Sequence, residues 1–200
     1  KAIKPKGSVV FIVDIARDLP IEHFTPEERV YVDKQFTNGN NTAIITRTNI
    51  LLIAEKKANK KEDYLNLEEA RKQAFNTSNV LNSLKEKAVT VTDLTGSTAY
   101  TMAYLEGFAL SNYQFLKYFK DAKKRAYTMK NLYVLDDKIT KPNLDELASV
   151  VSKVYEARTL VNEPLSYLTA EELSSEIKRI SKKAGFKLKV LNKKEIEKQG

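Results

Sequence analysis

The 200-residue chain contains no cysteine and only one histidine. Without thiols it can form neither a disulfide nor a thiolate metal site, a composition that suits a reducing compartment. It has no apolar run of 18 residues, so no stretch is long enough to span a bilayer as a helix and no membrane partner is expected. No signal-peptide pattern is present, and residue 1 is Lys rather than Met, which leaves a trimmed start and a removed leader equally open. Its glycines are not gathered into a phosphate-binding loop. Internal repeats and low-complexity segments are also missing. Cytoplasmic residence is the expectation that follows.

What is present is a chain that is 42% hydrophobic with a formal net charge of +8, enough apolar material for a real core. A basic balance can signal nucleic acid or an anionic surface. Here the lysines are scattered among Glu and Asp, as on solvated helix faces. Only Lys56-Lys57…Lys60-Lys61 and Lys120…Lys123-Lys124-Arg125 form clusters. Nucleic-acid binding is therefore the minority reading.

Strand and helix signals alternate along the chain. Ser8–Val13 is a short apolar run of strand length. Thr25-Pro26-Glu27-Glu28 carries the cap, first-turn proline and third-position carboxylate of a helix start, and Asn38-Gly39-Asn40-Asn41 ends that helix. Thr42–Ile45 and Ile50–Ala54 read as strands, the second apolar throughout and so buried on both faces. Glu55–Asp63 reads as a charged loop. Asn66 with Glu69 is expected to cap a helix reaching about Lys87, with a break plausible at Asn76-Thr77-Ser78-Asn79. Val89–Thr92 is the next strand. A turn at Thr95-Gly96-Ser97 precedes a helix expected from Thr98 to about Phe119. Asn131–Leu135 is a further strand, and Asn143 with Glu146 caps a helix to Asn162. The alternation predicts an α/β sheet covered by helices.

The stretch Glu156-Ala-Arg-Thr-Leu-Val-Asn-Glu-Pro-Leu-Ser-Tyr-Leu-Thr-Ala-Glu-Glu-Leu173 organises the end of the chain. Pro164 disfavours helical geometry at Glu163, so the incoming helix stops there. Thr169 with Glu172 forms a capping box, Gly185 ends the next helix, and Phe186–Leu191 alternates apolar and basic residues as a strand does. Asn192 with Glu195 opens a last helix. One helix, one strand and a helical stub cannot close an α/β domain. Residues after about Asn162 are thus expected to be the first piece of a second domain.

Arg158, Leu160, Val161, Asn162, Pro164, Tyr167, Leu168 and Thr169 resemble the segment that opens the catalytic domain of the leucyl aminopeptidases, the M17 family of two-metal exopeptidases. The pattern departs at Ser166 and Ala170, where that family often has Asn and Pro. Upstream, Glu106, Gly107, Leu110, Tyr113, Phe115 and Tyr118 are similar to a second family helix, although Phe119 stands where Lys is common. The resemblance implies a macrodomain-like N-terminal α/β domain over residues 1–142, a connecting helix over 143–163 and an incomplete start of the catalytic domain over 164–200. It also implies a parent that releases N-terminal residues from peptides, uses two divalent ions (Zn²⁺ or Mn²⁺) and assembles as a hexamer. The later family stretch N-T-D-A-E-G-R-L, which supplies metal ligands, does not occur in this sequence. No catalytic, cofactor-binding or metal-binding residue carries over.

Each remaining candidate has a structural reading beside the chemical one. His23, between Pro20 and Pro26, reads as a loop histidine rather than a base or ligand. Asp14 and the adjacent Asp136-Asp137 follow strand ends; as neighbours on an extended chain the pair reads as a solvated turn rather than a Mg²⁺ site. Thr95-Gly96-Ser97 precedes a helix N-terminus that could receive a phosphate, but one glycine reads as a turn. Tyr100, Tyr104, Phe108, Tyr113, Phe115, Tyr118 and Phe119 could stack on single-stranded nucleic acid with Lys117 and Lys120; the buried face of an amphipathic helix is the reading preferred. Arg158 and Asn162 read as fixing the interdomain turn. The alternative to an aminopeptidase segment is a basic nucleic-acid or nucleotide-binding module, or a plain scaffold.

Overall fold

The computed structural model describes residues 7–199. Its contacts divide the chain into one unit that ends at Tyr155 and another that begins at Glu156.

In the first unit, Ser8–Val13 (β1) is buried along its whole length. It pairs in parallel with Ile50–Lys56 (β3) on one side and Ala88–Asp93 (β4) on the other. Asn131–Leu135 (β5) adds in parallel to β4, and Thr42–Arg47 (β2) adds antiparallel to β3. The order is β2-β3-β1-β4-β5. Because β1 is central, alternate side chains feed two separate cores. Val9, Phe11 and Val13 meet Val32 and Phe36 of Pro26–Thr37 (α1). Val10 and Ile12 meet Ala70, Ala74 and Leu81 of Asp63–Ser83 (α2), and Tyr100, Tyr104 and Phe108 of Thr98–Ser111 (α3). Both faces are therefore covered by helices, as the alternation of signals predicts.

Helix α1 starts as expected. Thr25 accepts from Glu28 N at 3.2 Å, and the Glu28 carboxylate accepts from Thr25 N at 2.9 Å. Several boundaries differ from expectation, among them the end of α2, at Ser83 rather than about Lys87, and that of β2, at Arg47 rather than Ile45. Strand β3 does not stop at Ala54 but runs through Glu55 to Lys56, and Glu55 is fully buried instead of opening a loop. Helix α2 begins at Asp63, not Asn66, whose side chain bonds Lys60 N at 2.6 Å instead. No break occurs at Asn76–Asn79, because Thr77 and Ser78 face the core and Thr77 finds a buried acceptor there; tertiary partners override weak propensity. Helix α3 ends at Ser111, eight residues short of Phe119, where Asn112 is drawn away to bridge Asn82 (3.1 Å) and Met129 O (3.3 Å). A short helix, Ala122–Arg125 (α4), follows. The last long helix, Lys141–Asn162 (α5), starts two residues ahead of Asn143, whose side chain reaches back to Thr140 N at 3.0 Å.

The second unit holds the end of α5, then Ala170–Ala184 (α6) and Lys193–Glu197 (α7). Thr169 caps α6 by accepting from Glu172 N at 3.3 Å, and Gly185 closes it at φ +77°. Asn192 and Glu195 form the expected capping box on α7. The expected strand at 186–191 is not formed: the segment has no regular secondary structure and no strand pairs with it among the described residues. The alternating pattern is there, yet a strand requires a neighbour for its backbone groups.

Candidate functional site

The parallel strands β1, β3 and β4 end on the same side of the sheet, where open α/β sheets receive ligands. Asp14, Thr95-Gly96-Ser97 and Asp136-Asp137, singled out in the sequence, follow strand ends at this rim. Asp93, not singled out, binds Thr95 N with Oδ1 (2.8 Å) and the Thr101 hydroxyl with Oδ2 (2.8 Å). Gly96 takes φ +72°, and its carbonyl accepts from Lys138 Nζ at 3.2 Å. The Thr95-Gly96-Ser97 loop is thus fastened as a turn from both sides. Asp136 Oδ1 accepts from Lys138 N at 2.8 Å, while Asp137 and Asp14 are exposed. Among the described residues no three His, Asp or Glu side chains converge as metal ligands would.

His23 packs its ring 5.5 Å from that of Phe11, and its carbonyl accepts from Arg47 Nη2 at 2.9 Å. The seven aromatics do not share one helix face. Tyr100, Tyr104 and Phe108 are buried on α3, whereas Tyr113 to Phe119 lie beyond its end. Tyr113 stacks edge-on against Tyr155 of α5 at 5.1 Å, and the Tyr155 hydroxyl donates to Ala109 O. Tyr118 and Phe119 are exposed, with Lys117 Nζ 5.3 Å and the Arg125 guanidinium 4.5 Å from their ring centres. Arg158 and Asn162 sit on the last turns of α5 in the second unit.

Further contacts could not be read from the sequence. The Glu106-Gly107 pair is where α3 meets α2. Glu106 Oε2 accepts from Arg71 Nε at 2.7 Å, and a Cβ on Gly107 would lie 2.5 Å from both Cα and O of Arg71. Glycine is needed for this approach. A buried polar cluster is another case. Glu55 Oε1 accepts from the hydroxyls of Thr77 and Tyr104 (2.8 Å to Tyr104), and Oε2 is buried with no partner among the described residues. Burial pushes the Glu55 carboxyl up to about 7, against the two hydroxyls, which pull it down. Beside it the Tyr100 hydroxyl donates to Gln73 Oε1 (2.7 Å) and accepts from Ala58 N (3.1 Å); Gln73 Nε2 donates to Lys56 O (2.9 Å). An apolar groove of about 480 Å³ also lies between α3, β5 and α5, lined by Leu105, Leu132, Val134, Leu147 and Val151.

These elements define a mixed α/β domain with helices on both faces of a five-stranded sheet. No family model matches the chain. Curated relatives do. A probable cytosol aminopeptidase of Clostridium perfringens is 29% identical over 146 residues, 68% of this chain and 30% of that protein. One from Rhodococcus opacus is 31% identical over 144 residues, 68% of this chain and 27% of that protein. The counterpart in Persephonella marina is 31% identical over 109 residues, covering 52% and 22%. Among solved structures, a tomato leucine aminopeptidase mutant superposes with a TM-score of 0.73 at 12% identity, covering 96% of this chain and 43% of that one. The leucine aminopeptidase of Caenorhabditis elegans gives 0.61 at 14% identity, covering 100% and 42%. The chain therefore spans less than a third of these curated relatives and less than half of these structural ones. By sequence it is a relative of the leucyl, or cytosol, aminopeptidases, and it shares its fold with their solved structures.

Proposed function

We propose that the chain is the N-terminal α/β domain (residues 1–142), connecting helix (143–163) and opening catalytic segment (164–200) of a cytoplasmic, metal-dependent leucyl aminopeptidase. The parent releases N-terminal amino acids from peptides, with two divalent ions, Zn²⁺ or Mn²⁺, supplying water activation and carbonyl polarisation. The described residues offer no donor set for such ions, so no step of the reaction is assigned to them. The first domain, read as macrodomain-like, serves assembly of a hexamer or control of access to the active site.

The observation that carries this reading lies in the second unit. Segment 186–191 has the alternating pattern of a strand without a sheet, and Phe186, Val190 and Ile196 are 48%, 51% and 56% exposed. On α6, Leu173 and Ile177 are 39% and 37% exposed. An amphipathic helix followed by an unpaired, alternating apolar segment supports reading this unit as the start of a layered domain that other polypeptide covers. The likeness to much longer aminopeptidases supports reading that cover as the remainder of the peptidase.

A second reading is favoured by one observation, the exposed Tyr118 and Phe119 under cations beside Lys120, Lys123 and Lys124. Such a patch suits an anionic, stacking partner such as single-stranded nucleic acid. Salt-dependent DNA affinity of the chain would favour it.

Hydrolysis of leucyl-p-nitroanilide with added Mn²⁺ or Zn²⁺ tests the first reading, on this chain beside one extended to the length of its relatives. Activity only in the extended protein is expected. Activity in neither would overturn the aminopeptidase assignment, and activity in the short chain would overturn its description as non-catalytic.

A further inference from the structure

We propose that Glu55 is a proton-operated latch: its neutral acid holds the exit of β3 against α2 and α3, and loss of the proton releases that exit. This goes beyond the aminopeptidase reading and does not depend on it. Glu55 is fully buried in the middle of the sheet, level with Ile12 of β1 and Thr42 of β2. Both hydroxyls that reach it converge on one oxygen, from Thr77 of α2 and Tyr104 of α3, and leave Oε2 bare. Ionisation would place a charge in this fully buried site, which is far costlier than leaving one hydroxyl donor unmet.

The other titratable groups around the cluster do not relieve this cost. Tyr104 and Tyr100 of α3 are themselves held neutral by burial. Glu69 of α2 and Asp93 of β4 add negative charge near Tyr100. Lys57 Nζ lies over the Tyr100 ring, 5.8 Å from its centre. The neutral acid is thus the form that fits the closed site.

Release has a defined path. One and three residues after Glu55 the same two helices grip the chain, by Gln73 on Lys56 O and Tyr100 on Ala58 N. An ionised Glu55 gains water only if β3 parts from α2 and α3, and those two bonds are the ones that part with it. They anchor the strand exit on the rim where β1, β3 and β4 end, so the latch governs the crevice there.

The sign follows from the pKa. A carboxyl raised from 4.5 to about 7 in the closed state contributes stability that is present below the ordinary value and is lost as pH rises through the raised one. Amide exchange of Ala58, whose N–H is held by the Tyr100 hydroxyl, reads the opening directly once corrected for its intrinsic rate. Opening is expected to rise roughly tenfold per pH unit between about pH 4.5 and 7 and to level off above that. In Glu55→Gln the slope should vanish. In Tyr104→Phe, which removes a donor that favours the ionised form, the levelling should move to higher pH. A flat wild-type profile, or a Glu55→Gln profile that keeps the wild-type slope, overturns the latch. If Glu55→Gln does not fold, an unmoved levelling point in Tyr104→Phe overturns it equally.

Discussion

Gly107 and Glu106 are neighbours with different weights. The Glu106–Arg71 pair is 2.7 Å long, but both side chains are about a third exposed, so solvent screening limits it to a fraction of a kcal/mol, at most about 1 kcal/mol. Gly107 has no such slack. A methyl group there would meet Arg71 backbone at 2.5 Å, and backbone cannot rotate aside. Gly107→Ala gains about 1 kcal/mol of helix propensity, yet it must spread α2 from α3 over their whole contact. We expect a net loss of about 1–3 kcal/mol in urea unfolding, as for other overpacked cores. Glu106→Gln should cost less than about 1 kcal/mol, and the reverse ranking would refute the assignment of the contact. The sequence displayed the Glu-Gly pair as part of a resemblance but not its reason, because Arg71 lies 35 residues upstream. Glu55 was illegible for the same cause. A carboxylate between an apolar run and Lys56-Lys57 reads as the start of a loop, and its burial is decided by Thr77 and Tyr104, 22 and 49 residues away.

Elements were legible wherever a local hydrogen bond defines them. The caps at Thr25, Thr169 and Asn192 and the left-handed Gly185 stand where the side chains placed them. Ends set by distant partners were not, as Asn112 shows by closing α3 early to serve Asn82 and Met129. Segment 186–191 is the limiting case, with correct periodicity and no neighbour to complete it. The two threonine caps separate local from cooperative effects. Each is worth about 1 kcal/mol to its own helix. Helix α1 buries Val32 and Phe36 in a core, so Thr25→Ala should lower the global urea midpoint. In α6 only Ser181 is buried, so Thr169→Ala should deprotect the Glu172 amide and leave that midpoint unchanged. Equal midpoint shifts for the two variants would contradict this separation.

At the scale of the whole chain, the alternation of strand and helix signals was enough for an α/β sheet, but the strand order was not readable. Nothing local shows that β1 lies between β3 and β4. Only its burial on both faces, shared with β3, hints at a central place. The sequence did not allow a catalytic residue to be assigned, and what could be read was kinship through the stretch around Arg158–Thr169. The two units also differ in what holds them. Every buried apolar side chain among the described residues lies at or before Met129, in the first unit. The second is held by caps and by exposed pairs such as Arg179–Glu156 at 2.7 Å, which contribute little in water. A 15-residue helix without a buried face is marginal on its own. The chain should therefore not unfold as one cooperative body. Amides of α6 are expected to exchange within seconds to minutes through local opening, while those of β1 and β4 exchange only with global unfolding. Protection of α6 equal to that of β1 would mean its apolar face is covered in solution. A dependence of that protection on protein concentration would then assign the cover to a second copy, and its independence would sink the claim that the second unit needs polypeptide from outside these 200 residues.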